Sequence, residues 1–231
     1  MINQMLRKNK HVFAIIVLSF VFSSCTSEEE KKRVLPIWGN RDVEYRMVDG
    51  KEVADTIYHK VPAFSYINQD SSRITSKMLK KKIWVADFFF THCPSICPPM
   101  TTNMKRLSIM TKDLADHVQF LSFSIDPKKD TPSRMREYIQ LNGIEAKNWH
   151  FLTGVSAAKT HEMAGEYFSF AKQDDEVPGG FGHTSYFVIV DTNGYVRGIY
   201  DGLKSEAIDS LENDLRKLLE HEYNIVGAKK N

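Results

Sequence analysis

Three apolar stretches along the chain predict the strands of a buried sheet. Lys82–Phe90 (KIWVADFFF) is a nearly continuous apolar run, which is typical of a central strand buried on both faces. Val118–Ile125 (VQFLSFSI) predicts the next strand, and Trp149–Leu152 predicts a short one. We therefore expect a sheet whose middle strands lie between helices.

Four helices are expected, starting near Cys97, at Thr131, at Ser156 and near Ser205. The first has an apolar side formed by Met100, Met104, Leu107 and Leu114. Proline suits the first turn of a helix, and the residue before a proline is pushed out of the helical region. Because Pro98 follows Cys97, we expect Cys97 at about the N-cap of this helix and Cys93 in the preceding loop.

Two hairpins are expected around the turn dipeptides Asp49-Gly50 and Asn193-Gly194. Their predicted strands are Glu44–Val48 with Lys51–Ile57, and Thr184–Val190 with Tyr195–Tyr200. The stretch Asp174–Gly182 is acidic and then rich in Pro and Gly, which predicts a mobile loop. Crossover connections followed by a hairpin predict an α/β fold with a central mixed sheet of the thioredoxin type and an N-terminal hairpin extension.

The start of the chain has the pattern of a secretory signal. Basic residues precede an apolar run at Val12–Phe22, and Ser23 and Ser24 precede Cys25. The run has 11 residues, whereas a membrane-spanning helix needs roughly 20, so a permanent transmembrane helix is the weaker interpretation. The segment ending at Cys25 resembles a bacterial lipobox, which implies that Cys25 is lipidated. A plain signal peptide with an incidental cysteine is the alternative.

These features divide the chain into a lipoprotein signal peptide (1–24), a charged tether (25–35) and one domain (36–231). The chain has 31 basic and 29 acidic residues, and three of the basic ones lie in the signal. The remainder has a net charge of −1, which argues against nucleic-acid binding. We expect the domain to be lipid-anchored to a membrane of the bacterial cell envelope and to face the periplasm or the exterior.

Apart from Cys25, the chain has two cysteines, Cys93 and Cys97. In an exported protein, such a pair is a disulfide, a redox dithiol or a metal site. A helix N-terminus favours the thiolate, which both metal binding and disulfide exchange require. Redox dithiols usually have two intervening residues; here there are three, which favours metal only weakly. His183 is a candidate third ligand, because the strand after it should start near the cysteine loop. Two thiolates and one imidazole suit copper and could also hold zinc.

Three separated motifs resemble the Sco/SenC copper chaperone family. They are Asp87–Pro99 (DFFFTHCPSICPP), Ser124–Thr131 (SIDPKKDT) and His183–Gly194 (HTSYFVIVDTNG), within a resemblance that runs from about Val61 to Tyr223. The resemblance implies that Cys93, Cys97 and His183 bind one copper ion, Cu(I) or Cu(II). It also implies a role in building the dinuclear copper site of cytochrome c oxidase, through copper delivery or through reduction of the acceptor's cysteines.

Other residues near these motifs remain open. Gly182 stands where the family often has an acidic residue before the histidine, so less support for the imidazole is expected. Asp126 resembles an acidic position of the family near the site, and a role in ending its strand is equally consistent. We expect His92 to point away from the thiols, and Met100 and Met104 to lie in the core. The alternative function is a thiol–disulfide oxidoreductase that uses Cys93 and Cys97 catalytically; a peroxidase is a third.

Overall fold

The computed structural model describes residues 33–225, so the predicted signal peptide and most of the predicted tether lie outside the described residues. The strands are β1 Arg41–Val48, β2 Lys51–Tyr58, β3 Ser65–Asn68, β4 Arg73–Thr75, β5 Ile83–Phe89, β6 Val118–Ser124, β7 Trp149–Thr153, β8 Ala171–Gln173, β9 Phe181–His183, β10 Tyr186–Val190 and β11 Val196–Asp201. The α-helices are α1 Cys97–Met110, α2 Pro132–Leu141, α3 Ala157–Glu166 and α4 Ser205–Lys217, which a π-helical turn, Leu218–Glu222, continues. Two 3-10 turns, Ser76–Leu79 and Lys112–Leu114, complete the elements.

The central sheet has seven strands in the order β11-β10-β5-β6-β7-β3-β4. Strands β5, β6 and β7 are parallel, and β10 and β3 pair antiparallel on either side of them. Parallel strands need crossover connections, which α1 and α2 provide here. Every residue of β5 and β6 is buried, as the continuous apolar runs predicted. The predicted α/β class with a central mixed sheet is confirmed.

The predicted N-terminal hairpin is confirmed as a separate two-stranded sheet. β1 and β2 pair in register from Arg41 with Tyr58 to Val48 with Lys51, around the turn Asp49-Gly50. Both turn residues have positive φ, 51° and 75°, as tight hairpin turns require. Most of its residues are exposed, because this sheet covers no core.

Several predicted boundaries were wrong. Strands β3 and β4 were not predicted, since four and three residues give too short a pattern to detect. The helix predicted from Ser156 has Ser156 as its N-cap and ends at Glu166, and β10 begins at Tyr186 rather than Thr184. The loop predicted over Asp174–Gly182 is shorter than expected, because the first two residues of β9 lie within that range and pair with β8.

Thr131 caps α2 as predicted. Its backbone is extended, and its side chain accepts a hydrogen bond from the backbone N–H of Arg134 at 3.3 Å. An N-cap oxygen satisfies one of the free N–H groups of the first turn. Thr131→Ala should therefore lower the free energy of unfolding by about 1 kcal/mol. Urea unfolding measures this, and Thr131→Ser, which keeps the hydroxyl, should stay near the wild-type value.

Between residues 33 and 225, no helix combines the length and the apolar character that crossing a bilayer requires.

Candidate metal centre

Two elements bring the three predicted ligands together. Strand β5 ends at Phe89, and the turn that follows carries Cys93, whose N–H donates to the carbonyl of Phe90 at 3.2 Å. Helix α1 begins at Cys97 itself, with Ile96 rather than Cys97 as its N-cap. His183 ends β9 and pairs with Ala171 of β8. The small β8–β9 sheet therefore positions the imidazole at the site, and the turn between β5 and α1 positions both sulfurs.

The three side chains form a compact donor set. The Cys97 sulfur lies 3.3 Å from Nε2 of His183. One donor atom from each of Cys93, Cys97 and His183 lies within 4.8 Å of the others, the only such His, Cys, Asp or Glu group among the residues described. Both cysteines are free thiols and are buried, and His183 is half-buried. The predicted residues thus meet at one place, with room to close around a single ion.

The His183 ring is oriented by its own backbone neighbour. Nδ1 lies 3.0 Å from the carbonyl oxygen of Thr184. A carbonyl only accepts, so Nδ1 carries the proton and donates. In the neutral ring, Nε2 then presents its lone pair towards Cys97, as metal ligation requires. The Thr184 carbonyl therefore orients the ring, whereas Gly182 has no side chain to do so.

The two thiols differ strongly in acidity. The pKa of Cys93 is lowered to about 3, chiefly because the Cys97 thiol hydrogen-bonds to its sulfur, while burial opposes the shift. The same interaction, together with burial, raises the pKa of Cys97. Cys93 is therefore the sulfur of the pair that ionises first. Ligation of one ion by both sulfurs would also require the proton of Cys97 to leave.

The chain is similar to a known protein family and to several solved structures. The SCO1/SenC family model matches residues 54–220. The chain belongs to the SCO1/SenC family. A SCO1/SenC family lipoprotein from Bacillus anthracis is 35% identical, with a TM-score of 0.65 over 70% of this chain and 95% of that one. BsSco, described as a Sco-family cytochrome c oxidase assembly protein with a disulfide switch, is 33% identical, with a TM-score of 0.62 over 68% and 92%.

A copper-bound relative is also similar to the chain. ScoI from Bradyrhizobium japonicum, solved with copper bound, is 25% identical, with a TM-score of 0.56 over 67% of this chain and 98% of that one. Together with the other SCO1/SenC structures, this likeness confirms the predicted thioredoxin-like fold.

In this SCO1/SenC protein, aromatic rings pack the β8–β9 pair, which carries His183, against the end of the central strand β5. The Phe90 ring packs against the rings of Phe181 and His183, with centroids 5.4 and 5.7 Å apart. His161 of α3 packs edge-on to Phe181 at 5.8 Å. Gly179 has a φ of +92°, and a Cβ there would lie 2.9 Å from Phe90. A side chain at Gly179 would therefore push the turn between β8 and β9 away from Phe90 and the donor set.

Asp87 is the residue near the centre that pattern analysis missed. It lies within β5 and is 4% exposed, and its Oδ1 has no hydrogen-bond partner among the described residues. Burial raises its pKa to about 7, although a hydrogen bond with the Ser122 hydroxyl opposes the shift. The signal was present, because Asp87 is the only acidic residue in an otherwise apolar central strand. The charge of Asp87 contributes to the raised pKa of Cys97, so a titratable carboxyl is coupled to the donor set.

The remaining candidates lie around the centre rather than in it. Nε2 of His92 lies 3.4 Å from Asp126 and 3.1 Å from the Lys129 amine, so this ring faces Asp126, and it is not in the donor set. Asp126 is buried after β6 and contacts His92. Met100 and Met104 are 1% and 0% exposed, as expected of core residues.

Proposed function

We propose that this chain binds one copper ion through Cys93, Cys97 and His183 and delivers it to the dinuclear copper site of cytochrome c oxidase. The observation that carries the proposal is the set of three donor atoms within 4.8 Å of one another. The copper-bound ScoI structure and the oxidase-assembly role stated for BsSco support it. The acceptor would be the subunit that holds the oxidase copper site, or another copper protein.

The donor chemistry suits copper as cargo. Soft thiolates with an imidazole favour copper, and three protein ligands leave a position free for an incoming ligand. Transfer then proceeds by ligand exchange, in which a thiolate or imidazole of the acceptor enters as His183 leaves. Of the three ligands, His183 alone lies on the small β8–β9 sheet. The two cysteines lie on the turn at the end of a central strand, so the histidine is the ligand that can withdraw.

The alternative function is reduction of the acceptor's cysteines by the same thiols. It is favoured by the low pKa of Cys93, which makes this sulfur the nucleophile in disulfide exchange. In that reaction, Cys93 would attack the acceptor disulfide and Cys97 would then close the Cys93–Cys97 disulfide, releasing two acceptor thiols. Activity that survives His183→Ala but not Cys93→Ala would favour this role.

We further propose that the domain is anchored to a bacterial envelope membrane through a lipid on Cys25 and faces the periplasm or the exterior. Cys25 and its signal, 1–24, lie outside the described residues. The Bacillus anthracis lipoprotein supports this proposal. Mass spectrometry of the protein from membranes tests it, because an acylated N-terminal Cys25 is the expected product.

Anaerobic titration with Cu(I) and Cu(II) tests the copper proposal. The wild type should bind one equivalent, and His183→Ala should weaken binding by at least about 100-fold, because losing a ligand costs at least as much as losing a residue that orients one. His117→Ala is the matched control, since His117 precedes β6 at the other end of the sheet. Zn(II) titration shows whether the site prefers copper.

Two outcomes would refute this proposal. One is the absence of stoichiometric binding by the reduced protein. The other is wild-type affinity in His183→Ala, which would leave only the dithiol as the functional group.

A further inference from the structure

A lysine-rich turn leads into the central strand at the end of the sheet opposite the donor set. We define the lysine turn as residues Lys77–Lys82; it contains Lys77, Lys80, Lys81 and Lys82. Three of these lysines are exposed, Lys82 is half-buried, and Met78 among them is 58% exposed. Lys81 has a φ of 73°, an uncommon conformation for a lysine, which sharpens the turn. The surface combines clustered positive charge with one apolar side chain.

The lysine turn carries uncompensated charge. Among the described residues, none of its lysines forms an ion pair, whereas Lys129, Lys204 and Lys217 each pair with a nearby carboxylate. Two further exposed lysines, Lys112 and Lys147, precede the neighbouring strands β6 and β7.

The acidic residues at this end do not balance the lysines. Arg216 pairs with both Asp113 and Glu212, so these three side chains carry one negative charge in excess. Asp116 and Glu145 lie in the connections that lead into β6 and β7, and the charge of Asp70 acts on His150 of β7. The six lysines therefore exceed these acidic charges by two, and the surface is positive.

The N-terminal segment of the domain lies at this same end. The N–H of Trp38 donates to the carbonyl of Val196 at 2.9 Å. Val196 pairs with Val190, and Val190 pairs with Trp84, next to the first residue of β5. Cys93 follows the opposite end of β5. The lysine turn and the N-terminal segment, which leads back to Cys25, thus lie at one end of the sheet. The donor set lies at the opposite end.

We propose that the lysine turn docks on an anionic lipid surface, with Met78 at the headgroup level, so that the donor set faces away from the membrane. The proposal rests on the proposed lipid on Cys25. Seven residues lie between Cys25 and Arg33, and the eight residue steps from one to the other span at most about 28 Å, which keeps the turn within reach of the bilayer. Clustered lysines next to an anchor are attracted to anionic headgroups within a Debye length, about 10 Å at ordinary salt.

Lysine accessibility on vesicles tests the orientation. The full lipidated chain is reconstituted in vesicles of phosphatidylcholine alone, or of phosphatidylcholine mixed with phosphatidylglycerol. It is then acetylated with a membrane-impermeant reagent and analysed lysine by lysine. We expect labelling of the lysine turn to fall about fivefold or more with phosphatidylglycerol and to recover at high salt. Labelling of Lys159 and Lys172, which are exposed elsewhere, should not change.

Charge reversal provides the matched comparison. In Lys77→Glu/Lys80→Glu/Lys81→Glu, the protection of Lys82 should disappear. In a control with the same net charge, Lys51→Glu/Lys159→Glu/Lys172→Glu, it should persist.

Equal labelling in both lipids, or protection that survives the first triple variant, overturns the docking. Flotation of the vesicles reports the lipid anchor separately, and copper titration of the same samples reports the donor set. The failure of either of those proposals is therefore distinguishable from failure of the docking.

Discussion

At pH 6, Cys93 should be alkylated by iodoacetamide at least about 100-fold faster than Cys97, because only the thiolate is nucleophilic. The pKa of Cys93 is lowered to about 3, first by the hydrogen bond from Cys97, whereas the pKa of Cys97 is raised. Since Cys93 is ionised throughout, its rate should be flat between pH 5 and pH 8. The rate of an ordinary cysteine rises about tenfold per pH unit over this range. Mass spectrometry of the reduced, metal-free protein gives both rates.

Removing the donor tests the cause of this acidity. In Cys97→Ala, Cys93 loses the hydrogen bond that stabilises its thiolate, so its pKa should rise and its alkylation should become pH-dependent. Cys97→Ser, which keeps a hydroxyl donor, should fall between the two. A wild-type Cys93 rate that climbs tenfold with each pH unit would show that the coupling is absent.

This asymmetry serves both candidate activities of the SCO1/SenC domain. A sulfur that is already ionised can bind copper without first losing a proton, and it can also attack a disulfide. What separates the two roles is His183, which only metal binding requires. The thiol chemistry alone therefore does not discriminate between them, and the His183→Ala variant does.

The elements that the sequence predicted well are those with strong local signals. Thr131 before a proline predicted a helix start, because its side chain can cap the first turn. Asp49-Gly50 predicted a hairpin, because both residues tolerate the positive φ that a tight turn requires. Lys82–Phe90 predicted a strand, because a short, nearly continuous apolar run is typical of a strand covered on both faces. The positions of Cys93 and Cys97 followed from these signals within one residue.

The position of His183 depends on pairing that no local pattern shows. It lies on β9, a strand of three residues that exists because β8 pairs with it across the turn between them. A prediction from periodicity needs a longer segment, so the sequence predicts Phe181 and Gly182 in a loop and His183 as the residue before the next strand. The support of its ring by the Thr184 carbonyl was equally hidden, since any residue could supply that oxygen.

Arg197→Met should lower the free energy of unfolding by about 3–5 kcal/mol, because it removes the cation from a buried charge network. The Arg197 side chain is 2% exposed and donates to Asp191 at 3.0 Å and to Glu222 at 2.6 Å. It also donates to the carbonyls of Leu35 and Pro36 at 2.7 and 3.1 Å, which ties the N-terminal segment to the sheet. Without Arg197, two largely buried carboxylates lose their shared cation.

The pH dependence identifies this mechanism. Although burial opposes it, Arg197 lowers the pKa of Glu222, so in the wild type this group stabilises the fold above its ordinary pKa, and the contribution is lost as the pH falls. In Arg197→Met, the Glu222 carboxylate is destabilising when charged and becomes neutral in acid. The loss measured by urea unfolding should therefore shrink from pH 7 to pH 4. Arg73→Met, at an exposed arginine that donates to Ser65, should change stability by no more than about 0.5 kcal/mol. An Arg197→Met loss below about 1 kcal/mol at pH 7, or an equal loss at both pH values, would contradict a buried ion network there.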